Sequence, residues 1–294
     1  EDISPAFDAE FLAGFYPEML NSFKLNGELF GLPMCAAPFV LILRNDLLTA
    51  AGLEVPKSFD DINQVAKARF MSGGKARVPL TIRVATGSPG SAAAQHSQSA
   101  ESWFMNVPGL KIVVPATPAD AKGLLVTAIR GEDPVIFLEH KMLYDVKGPV
   151  PEGEDFAIPF GKANVVAEGK DLTIITVGAM IQKALQARET LAKENIQAEV
   201  IDVRTLVPLD TATLVESVAK TNRVLIAHEA HERSGPGAEI AAVLASEAVE
   251  YLDGPIVRVA AKNVPIPYSP VLENYVLPST EDIVSAALSF WPSR

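Results

Sequence analysis

Four short apolar runs in the second half of the chain constrain its fold most. They are LTIITV (Leu172–Val177), AEVIDV (Ala198–Val203), RVLIAHE (Arg223–Glu229) and PIVRVAA (Pro255–Ala261). Each is near-continuously apolar rather than alternating, the pattern of strands buried on both faces. The first is followed by a helical pattern with Ile181, Ala184, Leu185, Leu191 and Ala192 on one face. Helices over Asp210–Lys220, from about Gly237 to Tyr251, and over Glu281–Leu288 complete the set. Strands alternating with helices imply a parallel sheet covered on both sides. Residues 160–294 therefore read as an open three-layer α/β domain.

The same alternation runs through residues 62–145. Val78–Val84 and Lys111–Pro115 read as buried strands, Pro118–Arg130 as an amphipathic helix with Ala121, Leu124, Leu125, Ala128 and Ile129 facing inward, and Pro134–His140 as a third strand. Between the first two strands lies a small-residue loop, ATGSPGSAAAQHSQSAESWF, whose glycines permit positive φ and close backbone approach to a ligand. Residues 146–159, VKGPVPEGEDFAIP, concentrate Pro and Gly as a linker does.

Residues 1–61 read differently. LNGELF carries a hairpin signal, AAPFVLIL a short apolar strand, and Asn45–Ala51 a helix capped by Asn45 or Asp46 and stopped by Gly52. Ser58-Phe-Asp-Asp61 then starts a further helix that continues to Arg69. The whole has 294 residues, a prior of about two domains.

Charge narrows the partners. A formal net charge of −11 argues against nucleic acid, whose phosphates call for a surplus of Lys and Arg. The longest apolar run, Ala36–Leu43, is far short of the roughly 18 residues of a membrane span, and the N-terminus has no secretory pattern. Cys35 is the single cysteine, which fits a reducing compartment. The expectation is a cytoplasmic protein that binds neither membrane nor nucleic acid.

Several segments together resemble one family. NQVAKARFMSGGKARVPLTIR, AAAQHSQSAESWFMNVPGLKIVVPATPADAKGLLVTAIR, DPVIFLEHKMLY, EVIDVRTLVPLD, RSGPGAEIAA and NVPIPYSPVLENYVLPSTEDIV stand in family order. They look like the beta subunit of the decarboxylating component of thiamine-diphosphate-dependent 2-oxo acid dehydrogenase complexes, with AAAQHSQSAESWF and IFLEH nearest acetoin dehydrogenase beta chains. The resemblance implies the second half of a transketolase-like pyrimidine-binding domain over 62–145, then a complete transketolase C-terminal-like domain over 160–294. Residues 1–61 instead resemble a fragment of a sugar-type ABC-transporter solute-binding protein, an unrelated α/β piece. The chain is thus expected to be a chimera joined near residues 61–63, with the pyrimidine-binding half N-terminally incomplete.

His96 is the leading catalytic candidate. Imidazole titrates near working pH and the residue follows the glycine-bearing loop; the resemblance places the corresponding histidine in the active-site channel. Gln95, Ser97 and Gln98 are expected to shape the loop. The family's activating Glu, which contacts the cofactor's aminopyrimidine ring, has no match among the acids of residues 1–61, so no cofactor-binding residue is assigned. A backbone potassium site is implied at Leu80, Ala128, Ile129, Gly131 and Asp133. His228 and His231 stand three apart rather than the four of H-E-x-x-H, and read as a polar strand end rather than a metal site. SGPGAEI reads as a plain helix start, although a helix N-terminus can hold an anion.

The resemblance further implies thiamine diphosphate with magnesium shared with an alpha subunit, self-association of beta chains, and docking on the peripheral-subunit-binding domain of an acyltransferase core. The substrate would be acetoin, pyruvate or another 2-oxo acid, with the acyl group passing to lipoyl lysine. No activity is expected of this chain alone. Two other readings are a noncatalytic assembly module and a sugar-binding protein.

Overall fold

The computed structural model describes residues 24–25, 28–29, 40–43, 56, 58–153 and 155–291. The chain divides into two units, Glu1–Phe39 and Val40–Arg294. In the first, β1 (Lys24–Leu25) and β2 (Glu28–Leu29) pair antiparallel, with Lys24 opposite Leu29. This is the hairpin expected from LNGELF. The helix expected over Asn45–Ala51, with its Gly52 stop, lies outside the described residues.

The second unit begins with β3 (Val40–Leu43), the apolar strand of AAPFVLIL. Helix α1 (Phe59–Met71) follows, its N-cap Ser58 accepting from the Asp61 amide, with Asp60 and Asp61 favourably placed in its first turn. β4 (Leu80–Thr86) leads into α2 (Ala93–His96) and α3 (Glu101–Met105). Then come β5 (Lys111–Val113), α4 (Pro118–Arg130), capped by Thr117, and β6 (Val135–His140). On α4, Leu124 and Ala128 are buried, whereas Ile129 is exposed, contrary to its expected inward position. The linker does not hang free: Ile158 N–H donates to the Gly123 carbonyl and its own carbonyl accepts from Thr127 Oγ1.

The C-terminal half contains β7 (Asn164–Ala167), β8 (Leu172–Thr176), α5 (Met180–Lys193), β9 (Ala198–Asp202) and β10 (Thr205–Val207). It continues with α6 (Thr211–Thr221), β11 (Val224–His231), α7 (Pro236–Glu247), β12 (Val257–Ala261), α8 (Pro270–Val276) and α9 (Thr280–Leu288). The inward face of α5 comprises Met180, Ile181, Ala184, Ala187 and Leu191; Ala192 is exposed and Leu185 half-buried.

Among the described residues of this unit, two five-stranded sheets result, in the orders β10-β5-β6-β4-β3 and β12-β11-β8-β9-β7. Their central pairs are parallel, as the strand–helix alternation implies. Three of the four edge strands are not: β3, β10 and β7 pair antiparallel, while the edge strand β12 stays parallel to β11. Purely parallel sheets are therefore corrected to mixed ones. β10 also changes sheets, since it follows the C-terminal half's β9 in sequence yet bonds to β5. One continuous core joins the halves, with Ile112, Ile136 and Leu138 in the same cluster as Ile175, Val203, Leu206 and Ile226.

Candidate functional site

Thr86 and His140 end the parallel strands β4 and β6 opposite one another, so the segments after both strands open at the same sheet edge. That carboxyl edge is where ligands approach open α/β sheets. His96 closes the short α2 here, with its side chain exposed.

The loop carrying His96 is fastened at several points. Gly87 N–H donates to the Gln98 carbonyl, which also accepts from Thr86 Oγ1. The Lys141 ammonium donates to the carbonyls of Gly87 (2.9 Å) and His96 (3.0 Å), bridging the loop's two ends. Burial holds the Lys141 pKa below its usual value, with nearby Glu229 opposing. Gly87, at φ 77°, is required by space: a Cβ there would stand 2.1 Å from His140 Nε2.

The C-terminal half grips the same loop with two carboxylates. Glu229, on β11, accepts from Ser88 N–H at 2.7 Å and lies 3.0 Å from His140 Nε2. Met142 N–H donates to His140 Nδ1, which assigns the ring proton of a neutral His140 to Nε2, facing Glu229. Burial works to raise the Glu229 pKa, but the His140 ring, followed by the Ser88 amide and the Lys183 charge, leaves it below the usual range. Glu273, on α8, accepts from Ser88 Oγ and, at 2.7 Å, from Ser91 N–H. Beneath the loop, Glu101 is enclosed with Oε2 unpartnered, and burial pushes its pKa up to about 7.

Next to this edge, a cavity of about 310 Å³ is lined by Arg83, Glu139, His140 and Tyr144, among others. Arg83 clasps Glu139 through two bonds of 2.7 and 3.0 Å, and Tyr144 adds a third at 3.0 Å. Burial and Glu139 push the Tyr144 pKa up to about 12.

The expected potassium residues lie toward the opposite edge of the sheet. Leu80 opens β4, Ala128 and Ile129 lie in the last turn of α4, Gly131 caps it, and Asp133 precedes β6. Val78 N–H donates to the Glu132 carbonyl, tying these segments together, while Arg69 and Lys111 pair with the Asp133 carboxylate. Among the described residues, no group of three or more His, Cys, Asp or Glu side chains is arranged to hold a metal. His228 and His231 lie within β11, not beyond it. The His228 ring is packed against Gly235 and Gly237 with neither nitrogen bonded, and burial lowers its pKa to about 4. His231 Nε2 contacts the Val264 carbonyl instead. SGPGAEI starts α7, as expected.

Residues 57–147 match the transketolase pyrimidine binding domain, and residues 161–283 match the transketolase C-terminal domain. The acetoin:2,6-dichlorophenolindophenol oxidoreductase subunit beta of Cupriavidus necator is 50% identical over 78% of this chain and 68% of its own length. Its Bacillus subtilis counterpart is 48% identical over 88% and 75%. The pyruvate dehydrogenase E1 component subunit beta of Rickettsia felis is 46% identical over 78% and 71%. The chain belongs to this family of E1-type beta subunits.

A solved structure of a split gene transketolase, an inactive beta4 tetramer, aligns with a TM-score of 0.60 at 27% identity, covering 77% of this chain and 72% of that one. The family is an enzyme family of thiamine-dependent oxidoreductase subunits on a transketolase-like α/β fold. The solute-binding and chimeric readings of residues 1–61 gain no such support. The pyrimidine-binding match already begins at residue 57, and the Bacillus match covers more of the chain than residues 62–294 supply. The Val40–Leu43 strand, moreover, completes the edge of the pyrimidine-binding sheet against β4. Among the described residues no helix is long and apolar enough to cross a membrane.

The aminopyrimidine of the family's cofactor, thiamine diphosphate, would need a free, accessible carboxyl, and none of those packed around the His96 loop offers one. Glu229 and Glu273 are engaged by the loop itself, Glu139 is saturated by Arg83 and Tyr144, and Glu101 is enclosed. These four do not fit the cofactor. Lys141, Glu229 and Glu273 escaped the sequence reading, because their partners are 45 to 185 residues away.

Proposed function

We propose that this chain serves as the beta-type subunit of a thiamine-diphosphate-dependent dehydrogenase component. It acts on acetoin, with pyruvate or another 2-oxo acid as the alternative substrate class, and the acyl group passes to lipoyl lysine. What carries this reading is the exposed His96, held at the carboxyl edge of β4 and β6 by Lys141 and by two carboxylates from the other half. An imidazole so placed can exchange protons with a reacting carbonyl near neutral pH.

In this reading, residues 62–145 belong to the pyrimidine-binding domain, 146–159 to a linker and 160–294 to the C-terminal domain. An alpha-type partner supplies the diphosphate and magnesium site. Potassium takes the carbonyls of Leu80, Ala128, Ile129, Gly131 and Asp133. The acidic C-terminal half docks a basic peripheral-subunit-binding domain in a cytoplasmic complex.

The test mixes the chain with a cognate alpha-type subunit and follows reduction of 2,6-dichlorophenolindophenol with acetoin or pyruvate. Turnover should depend on thiamine diphosphate and on the alpha-type subunit, and H96A should lower it by about 10²-fold or more. Full activity in H96A would overturn the reading. A second reading, a noncatalytic beta-only assembly, draws on the four committed or enclosed carboxyls around the loop. Stable beta oligomers that never turn over with any alpha-type partner would favour it.

A further inference from the structure

The segment before His96 is held by side chains: Gly90 N–H donates to Ser88 Oγ, which also stands 3.3 Å from Ser97 Oγ. Ser91 and Ala93 are non-glycine residues at φ 51° and 59°. Such left-handed positions each cost roughly 1 kcal/mol or more, and persist where the surroundings over-determine them. Glu273 supplies that constraint. Its carboxylate, 4% exposed, takes the Ser91 amide on one oxygen and the Ser88 hydroxyl on the other. The two contacts span 182 and 185 residues of sequence, so they join the C-terminal half to the loop. Lys141 fixes the ends of the segment at Gly87 and His96; Glu273 fixes its middle.

We propose that Glu273 is a positioning residue for His96, setting the place of the imidazole from the C-terminal half through the Ser88–Ser91 turn. The proposal rests on His96 as the active-site histidine. A glutamine at 273 weakens the bracket: its Oε1 can still accept from the Ser91 N–H, but its amide must then donate to Ser88 Oγ, which reverses that bond and removes the charge that strengthens both.

The test uses the full chain alone, with E273Q and E273D. Amide exchange is followed by mass spectrometry over residues 86–98, and carbethoxylation of His96 by diethylpyrocarbonate is followed against pH. E273Q should speed exchange in this segment at least about tenfold while leaving the peptide over α9 unchanged. It should also move the midpoint of His96 modification by about half a pH unit or more. Unchanged exchange in both variants would overturn the proposal; so would faster exchange with an unmoved midpoint, the mark of a merely structural contact. If E273Q fails to fold, E273D, whose shorter side chain cannot span both partners and which leaves the Ser88 bonds to Gly90 and Ser97 in place, decides by the same readouts.

With an alpha-type subunit, E273Q should lower kcat about 10- to 100-fold with KM within about twofold. An equal loss in KM would count against positioning. Should H96A prove fully active, the functional reading fails, while the two measurements on the chain alone still decide what Glu273 holds.

Discussion

Arg204 Nε stands 2.7 Å from Oδ1 of Asp120, pairing the turn after β9 with the first turn of α4 in the other half. The Asp120 side chain is almost wholly enclosed, and Arg204 holds φ 57° to reach it. A buried pair adds little over an apolar substitute, but breaking it strands a charge. R204M should therefore cost about 3–5 kcal/mol in urea unfolding at neutral pH. Adding D120N should recover part of that loss, since the stranded charge goes with it. Equal stabilities of R204M and the native chain would refute the pairing.

Asp202 sits beside this pair with Oδ2 unpartnered. Burial, with Asp120 adding repulsion, pushes its pKa up to about 7. An acid whose folded pKa exceeds its unfolded value binds more protons when folded, so it favours folding at low pH. That contribution is lost as pH rises from about 4 to about 7 and is then constant. D202N, which keeps an oxygen for the Arg204 amide, should match the native chain near pH 4. It should be more stable by roughly 1–3 kcal/mol at pH 8. Unfolding free energies across that range check the sign.

At Gly87 a methyl group meets the His140 ring, and the backbone is left-handed. G87A should destabilise by about 2–4 kcal/mol. In a double-mutant cycle with H140A, the steric part should be relieved and the backbone part should remain, so the two changes should not add.

Under the second sheet, Ser217 Oγ joins Thr173 at 2.6 Å to Glu199 at 2.5 Å, all three side chains buried. S217A leaves both partners short of a bond and should cost about 1–3 kcal/mol. A thermal midpoint within a degree of the native value would show the network to be dispensable.

The residue pattern showed some elements almost to the residue and hid others. Pro118–Arg130 carries a cap, a proline at its start and an apolar face, and its bounds are those of α4, with only Ile129 of the expected face turned outward. β7 and β10, of four and three residues, are too short to display a period. Helix α8 inverts the usual signal: Val271, Leu272 and Tyr275 face outward while Glu273 is buried. An inward acid reads as surface until its distant partner is known. His96 stood out through the family resemblance of its local motif; the carboxylates that hold the loop arrive from the other half of the chain.

The crossing of β10 into the first sheet has a practical consequence. Cutting within the Pro- and Gly-rich segment after β6 would not release two intact domains. The N-terminal piece would keep Ile112 and Val113 on a β5 paired with β6 but stripped of β10, an open apolar edge of the kind that recruits other chains. The C-terminal piece would carry Thr205-Leu-Val207 without the strand it pairs with, held by the bonds of Thr205 to Gly161, Val203 and Pro208. Any recombination of these halves must exchange that three-residue strand together with the sheet that receives it.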